Sequence, residues 1–156
     1  MAIEKVREYL REKGMEDRVI EFTVSSATVE LAAAALGCEG AMIAKTLSFY
    51  LDDGAVLIVC AGDAKVANAA YKAKFGTKAR MLCFEDVEPM IGHAVGGVCP
   101  FAINAGVKVY LDKSLLRFQT VYPAAGSASS AVKLTPDELY SLSGAIEWVD
   151  VCQGWQ

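Results

Sequence analysis

Two strand-like segments, Lys45 to Leu51 and Ala55 to Ala61, flank Asp52-Asp53-Gly54, and this arrangement constrains the fold more than any other feature of the chain. Aspartate and glycine tolerate the backbone angles of tight hairpin turns, so an Asp-Gly step between two such segments predicts an antiparallel hairpin. Around it the periodicities are mixed. Ile3, Val6 and Leu10 recur at helical spacing among charges, with Gly14 as a stop. Ile20, Phe22 and Val24 alternate with polar residues as in a short strand. Ser25 or Ser26 can cap a helix that ends near Gly37, and Asp63 can cap another running through Lys74, with Gly76 beyond it.

The second half is more broken. A strand near Ala79 to Cys83 leads to a short helix containing Pro89, which fits only near a helix terminus or a kink. Further strands are expected at Val107 to Leu111, Thr120 to Ala124 and Ala131 to Leu134, the last two separated by a turn at Gly126 to Ser130. Thr135-Pro136-Asp137-Glu138 combines a capping box with proline at the first helical position. Ile146 to Val151 reads as a closing strand. Hairpins mixed with helices, without βαβ regularity or repeats, predict an α+β fold. At 156 residues the chain fits one domain spanning 1–156.

Several function classes are excluded by composition. No apolar run approaches the ~20 residues of a membrane span, and the charged first 14 residues lack the core of a signal peptide. A cytoplasmic location without membrane contact is the expectation. Five cysteines (Cys38, Cys60, Cys83, Cys99, Cys152) contain no C-x-x-C pair, and the odd count argues for reduced thiols. His93 is the sole histidine, so no metal site and no cofactor are expected.

The net charge of −4 argues against indiscriminate nucleic-acid binding, and DNA is not an expected partner. Its distribution is uneven. Ala64 to Arg80 holds Lys65, Lys72, Lys74, Lys78 and Arg80 and no acid, whereas the remainder holds ten basic and nineteen acidic residues. The segment is either a solvated face or a defined polyanion contact.

Gly96-Gly97-Val98-Cys99-Pro100-Phe101 is the most suggestive chemical motif. Adjacent glycines allow close backbone approach, and amides around Gly97 and Val98 can converge on an oxyanion or phosphate oxygen. A tight turn is the plainer alternative. Lys45 opens a strand amid apolar neighbours, so it either snorkels from the strand end or faces a pocket or an anion. Thr46 and Asp112 can shape such a pocket, although Asp112 can equally cap a helix beginning near Lys113. Cys99 and His93, six residues apart, offer a thiol and imidazole for a nucleophilic mechanism, or else a pocket-lining thiol and a loop or pocket-edge residue.

Lys45 with Thr46-Leu47, Ala61-Gly62-Asp63, the Gly96 to Phe101 loop and Val121-Tyr122-Pro123-Ala124-Ala125-Gly126-Ser127 together resemble the YbaK/EbsC family. That family comprises free-standing aminoacyl-tRNA deacylases and the editing domain of bacterial prolyl-tRNA synthetases. The resemblance spans roughly Phe22 to Val151 and is sharpest at the lysine and the G-x-x-x-P loop. It implies a strongly curved, barrel-like mixed sheet surrounded by helices, with a pocket on one side. It also implies trans-editing: hydrolysis of the ester of misacylated tRNA, a small amino acid such as Cys or Ala on tRNA-Pro, assisted by the terminal ribose hydroxyl. Lys45, Gly96, Gly97 and Pro100 are then catalytic. Thr46, His93, Val98, Cys99, Phe101, Asp112 and Gly126 are substrate-binding. Lys65, Lys72, Lys74, Lys78 and Arg80 meet the tRNA, and an aminoacyl-tRNA synthetase is a candidate partner. A non-catalytic tRNA- or synthetase-binding module and a Cys99-dependent hydrolase are the alternatives. One departure is visible: the family often continues P-F-G, whereas Ala102 follows Phe101 and disfavours a positive φ there.

Overall fold

The central hairpin forms as expected in the computed structural model, which describes residues 2–155. Met1 and Gln156, included in the one-domain expectation, lie outside the described residues. In chain order the strands are β1 (Val19–Glu21), β2 (Ile43–Leu51), β3 (Gly54–Ala61), β4 (Lys65–Val66), β5 (Lys108–Asp112), β6 (Tyr122–Pro123), β7 (Ser130–Val132), β8 (Trp148–Val149) and β9 (Cys152–Gln153). The helices are α1 (Ala2–Glu12), α2 (Val29–Leu36), α3 (Asn68–Phe75), α4 (Phe84–Ile91) and α5 (Pro136–Ser143). The fold is α+β with a mixed sheet. No helix among the described residues is long and apolar enough to cross a membrane.

The main sheet has the order β6-β2-β3-β5-β8. β2 and β3 pair antiparallel from Ala44↔Ala61 to Leu51↔Gly54, and the other three pairings are parallel. The turn itself differs from the expected use of glycine. Positive φ falls on Asp52 (54°), while Gly54 already pairs with Leu51. Bridges Val121↔Leu134 and Ala124↔Ala131 connect the β6 region to the β1-β7 pair, so the ladder runs on from the main sheet. Its terminal strands, β1 and β8, are not paired with each other among the described residues.

β3 is buried on both faces, as a central strand with a parallel neighbour should be. Leu57, Val59 and Ala61 enter one core, and Val56 and Ile58 the other, where Phe49 and Tyr71 pack with ring centroids 5.2 Å apart. α1 contributes Val6 and Leu10, both fully buried on the larger core. Each such side chain contributes about 1.5–3 kcal/mol of transfer free energy.

Where the local signals are strong, the elements match. The Thr135 capping box is complete, with Glu138 N–H donating to Thr135 Oγ1 at 3.1 Å and Thr135 N–H to Glu138 Oε1 at 2.9 Å. Pro89 lies inside α4, two residues before its end at Ile91, consistent with a place near the helix terminus.

Other boundaries shift because distant partners compete. α2 is capped by Thr28, not by Ser25 or Ser26. The backbone at Phe22 and Ser26 is instead held extended by hydrogen bonds to Ser129 and Ala128 carbonyls, at 2.8 and 2.6 Å. α3 starts at Asn68 because Lys65 and Val66 pair with Gln153 and Cys152. The expected strand near Ala79 to Cys83 is reduced to one bridge, Phe49↔Met81, flanked by Tyr50 N–H to the Arg80 carbonyl and Leu82 N–H to the Ser48 carbonyl. The strand expected at Ile146 to Val151 contracts to β8.

Candidate active site

The outer edge of β2 is covered in two places and open between them. β6 pairs with it at Ile43 and Ala44 and then ends at Pro123. The Met81 segment rejoins it only at Phe49. Lys45, Thr46 and Leu47 face the gap, and a cavity of about 500 Å³ occupies it. The segment leading into α2, the start of α4 and the Val95–Val98 stretch complete the walls. Most of that wall is apolar, including Val29, Ala32, Leu47, Leu82 and Val87.

Lys45 is half-buried at this cavity, and its ammonium makes no hydrogen bond or ion pair among the described residues. A cation so placed is costly unless a ligand or water completes it. Asp63, which feels the charge of Lys45, is committed elsewhere. Its carboxylate accepts two hydrogen bonds from Arg117, and those bonds first, then the charges of Arg117 and Lys45, hold it below the usual carboxylate range. Two further polar groups are unsatisfied: the buried hydroxyl oxygens of Thr46 and Ser26 have no hydrogen-bond partner among the described residues, and both residues line the cavity.

The glycine loop meets the cavity through Gly96 and Val98. Gly96 has φ +96°, and neither its amide nor that of Val98 carries a hydrogen bond among the described residues. Gly97 differs from expectation. Its N–H donates to the Ala94 carbonyl at 3.0 Å, closing a turn, so this amide is not available to a ligand. A Cβ on Gly97 would lie 2.7 Å from Ser127 N and 2.8 Å from Gly126 C, so glycine is required by backbone packing. Ala102 also departs from expectation: it takes φ +53° despite its Cβ.

Five expected substrate contacts lie away from the cavity wall. His93, Cys99 and Phe101 are fully buried and touch one another beneath the loop. His93 Nε2 lies 2.7 Å from the Phe101 carbonyl, which fixes the proton on Nε2, and 3.5 Å from Cys99 Sγ. The nitrogen facing the thiol is therefore a donor already engaged, not a base. Burial pushes the Cys99 thiol up to about 12, the reverse of what a nucleophilic thiolate needs. Sequence spacing thus brought thiol and imidazole together, but packing placed them in the core. Asp112 is also buried; it accepts from Ser114 N–H at 3.0 Å and Val151 N–H at 2.9 Å, capping the 3-10 turn at Lys113–Arg117. Gly126 packs against α1, where a Cβ would meet the Ala2 backbone at 2.9 Å. Pro100 is buried as well.

The basic segment runs from β4 through α3 to the cavity rim. Lys65, Lys72, Lys78 and Arg80 are exposed, whereas Lys74 pairs with Glu147 at 2.8 Å. The Arg80 guanidinium lies over the Tyr50 ring, 4.7 Å from its centroid, and the next residue, Met81, lines the cavity. Sequence reasoning missed Ser26, read only as a helix cap, and Phe84 at the cavity mouth. Periodicity marks Phe84 as part of a helix; nothing local marks it as exposed.

Residues 23–142 match the family model described as the aminoacyl-tRNA editing domain. The chain is 48% identical over 157 residues to the uncharacterized protein YwhH of Bacillus subtilis (strain 168), with 100% of both chains covered. A solved structure described as a candidate trans-editing enzyme for prolyl tRNA synthetase superposes with a TM-score of 0.89 at 31% identity, covering 98% of each chain. The structure of the hypothetical protein APE2540 superposes with a TM-score of 0.85 at 30% identity, covering 96% of this chain and 99% of that one. Matched along most of its length, the chain belongs to the aminoacyl-tRNA editing domain family.

Proposed function

We propose that the protein is an aminoacyl-tRNA deacylase that hydrolyses the ester of misacylated tRNA in the cavity beside Lys45. The observation that carries this reading is the half-buried Lys45 ammonium, without a partner among the described residues, in a largely apolar cavity. Family membership supplies the substrate class, a tRNA carrying an amino acid on its terminal ribose.

The reaction needs a positioned water, stabilisation of the tetrahedral oxyanion and a proton acceptor. Water adds to the ester carbonyl, and the oxyanion forms within reach of the Gly96 and Val98 amides. Such donors require little reorganisation when charge develops. Lys45 contributes positive charge beside the same atom or holds the terminal phosphate. The neighbouring ribose hydroxyl relays the water's proton, accepting it as it gives its own to the departing ribose oxygen, because no carboxylate or imidazole lines the cavity among the described residues. Collapse breaks the bond between the acyl carbon and the ribose oxygen, releasing the amino acid and a free tRNA end.

The wall leaves room for a small amino acid. The relative described as a candidate trans-editing enzyme for prolyl tRNA synthetase supports tRNA-Pro as the tRNA to test first, and the resemblance to the YbaK/EbsC family makes cysteine and alanine the first amino acids to charge it with. Lys65, Lys72, Lys78 and Arg80 contact the tRNA backbone in this reading. Single-turnover hydrolysis of a panel of mischarged tRNAs tests the activity and its amino-acid preference together.

A further inference from the structure

Phe84 is 74% exposed at the mouth of the cavity, an unusual place for a large apolar ring. Met81 and Val95, 58% and 52% exposed, stand on the same rim. The position of Phe84 is nonetheless fixed. The backbone N–H of Cys83, its neighbour, donates to Tyr50 Oη at 3.2 Å, and Tyr50 Oη in turn donates to Asp86. Asp86 N–H donates to the Cys83 carbonyl at 3.0 Å, and Leu82 N–H to Ser48 on β2. The ring is thus presented to solvent by a braced backbone. Tyr50 also carries Arg80 on its ring face, so one residue organises both an exposed aromatic and a cation. Asp86, the carboxylate two residues from Phe84, is engaged by Tyr50.

An aromatic surface beside a cation, at the entrance to a cavity that takes the end of a nucleic acid, has the chemistry of a base-stacking site. We propose that Phe84 is the platform on which the base of the substrate's 3′-terminal nucleotide stacks, with Arg80 near the adjoining phosphate. This rests on the cavity being the deacylation site. The ring then acts as a positioning residue that sets how the acyl ester enters towards Lys45.

The test uses the full-length protein and a short uncharged RNA ending in the tRNA 3′ sequence, compared with the same RNA made abasic at its last nucleotide. Wild type should prefer the intact RNA by roughly 5- to 150-fold in Kd, the range expected for one stacked base. Phe84→Ala and Phe84→Leu should lose that preference, and Phe84→Trp should keep it. Phe84→Ala should also raise the half-saturating tRNA concentration in single-turnover deacylation more than it lowers the saturated rate. A preference retained by Phe84→Ala, or absent from wild type, overturns the proposal. So does a concentration-dependent dimer dissolved by Phe84→Ala in sedimentation velocity, which would make the rim a self-association surface. Because the RNA is uncharged, base preference in a protein that fails to hydrolyse charged tRNA supports stacking and defeats only the deacylase reading. An active protein without base preference defeats only stacking.

Discussion

Arg117 grips Asp63 through two hydrogen bonds, Nη1 to Oδ2 at 3.0 Å and Nη2 to Oδ1 at 2.6 Å. Bidentate pairing of this kind fixes both groups in place. It commits the carboxylate to Arg117, although Asp63 still feels the charge of Lys45. Arg117→Ala releases that carboxylate to neutralise the cavity ammonium, and deacylation should slow by about tenfold, the effect of little more than one kcal/mol at the transition state. The double variant Arg117→Ala/Asp63→Asn should recover most of the loss. Equal rates in the single and double variants would show that Arg117 acts only on folding.

Ala102 pays a conformational cost at φ +53°, in a region that L-residues with a Cβ avoid by ~1–2 kcal/mol. Ala102→Gly removes the clash and forfeits some backbone entropy, so a net gain of about 0.5–1 kcal/mol is expected. At this chain length that raises Tm by roughly 1–4 °C. A lowered Tm would show that packing of the Ala102 methyl against the core outweighs the strain.

His93, the sole histidine, makes stability pH-dependent near neutrality. Burial first, and the charge of Lys5, hold its pKa below the ordinary value, while the bond to Phe101 opposes them. The unfolded chain therefore binds a proton near pH ~6.5 that the native state refuses. Stability falls as pH drops from about 7 towards 5.5, with a slope of at most ~1.4 kcal/mol per unit. Carboxylates with lowered pKa, such as Glu138 beside Arg18, lose their contribution only at lower pH. Urea unfolding should show the slope in wild type and its absence in His93→Leu. A slope that persists in that variant assigns it to other groups.

What was legible in the chain was local. The Asp52-Asp53-Gly54 turn and the Thr135 capping box are written in adjacent residues, and both formed. Asp63 looked equally like a helix cap, but its partner, Arg117, lies 54 residues away. Lys65 and Val66 became a strand only because Gln153 and Cys152 return to them. The pocket-edge reading of His93 failed for a similar reason: nothing in its neighbours says that Phe101 and Cys99 close over it. Lys45 and Gly96 could be singled out as chemistry, but the opening they face comes from where β6 stops. That end is a tertiary fact, and so are the orphaned hydroxyls of Ser26 and Thr46.

The central claim is that the unpartnered Lys45 ammonium makes this cavity a deacylation site. The measurement is single-turnover hydrolysis of mischarged tRNA-Pro by wild type, Lys45→Ala and Lys45→Arg, with circular dichroism to establish folding. Both variants should fold and bind tRNA. Lys45→Ala should lose at least about 10²-fold in rate, the scale of removing one preorganised electrostatic contact from a transition state. Lys45→Arg should fail as well, because a planar guanidinium does not replace a compact ammonium in a confined site. A folded Lys45→Ala protein that hydrolyses the ester at nearly the wild-type rate would contradict the account.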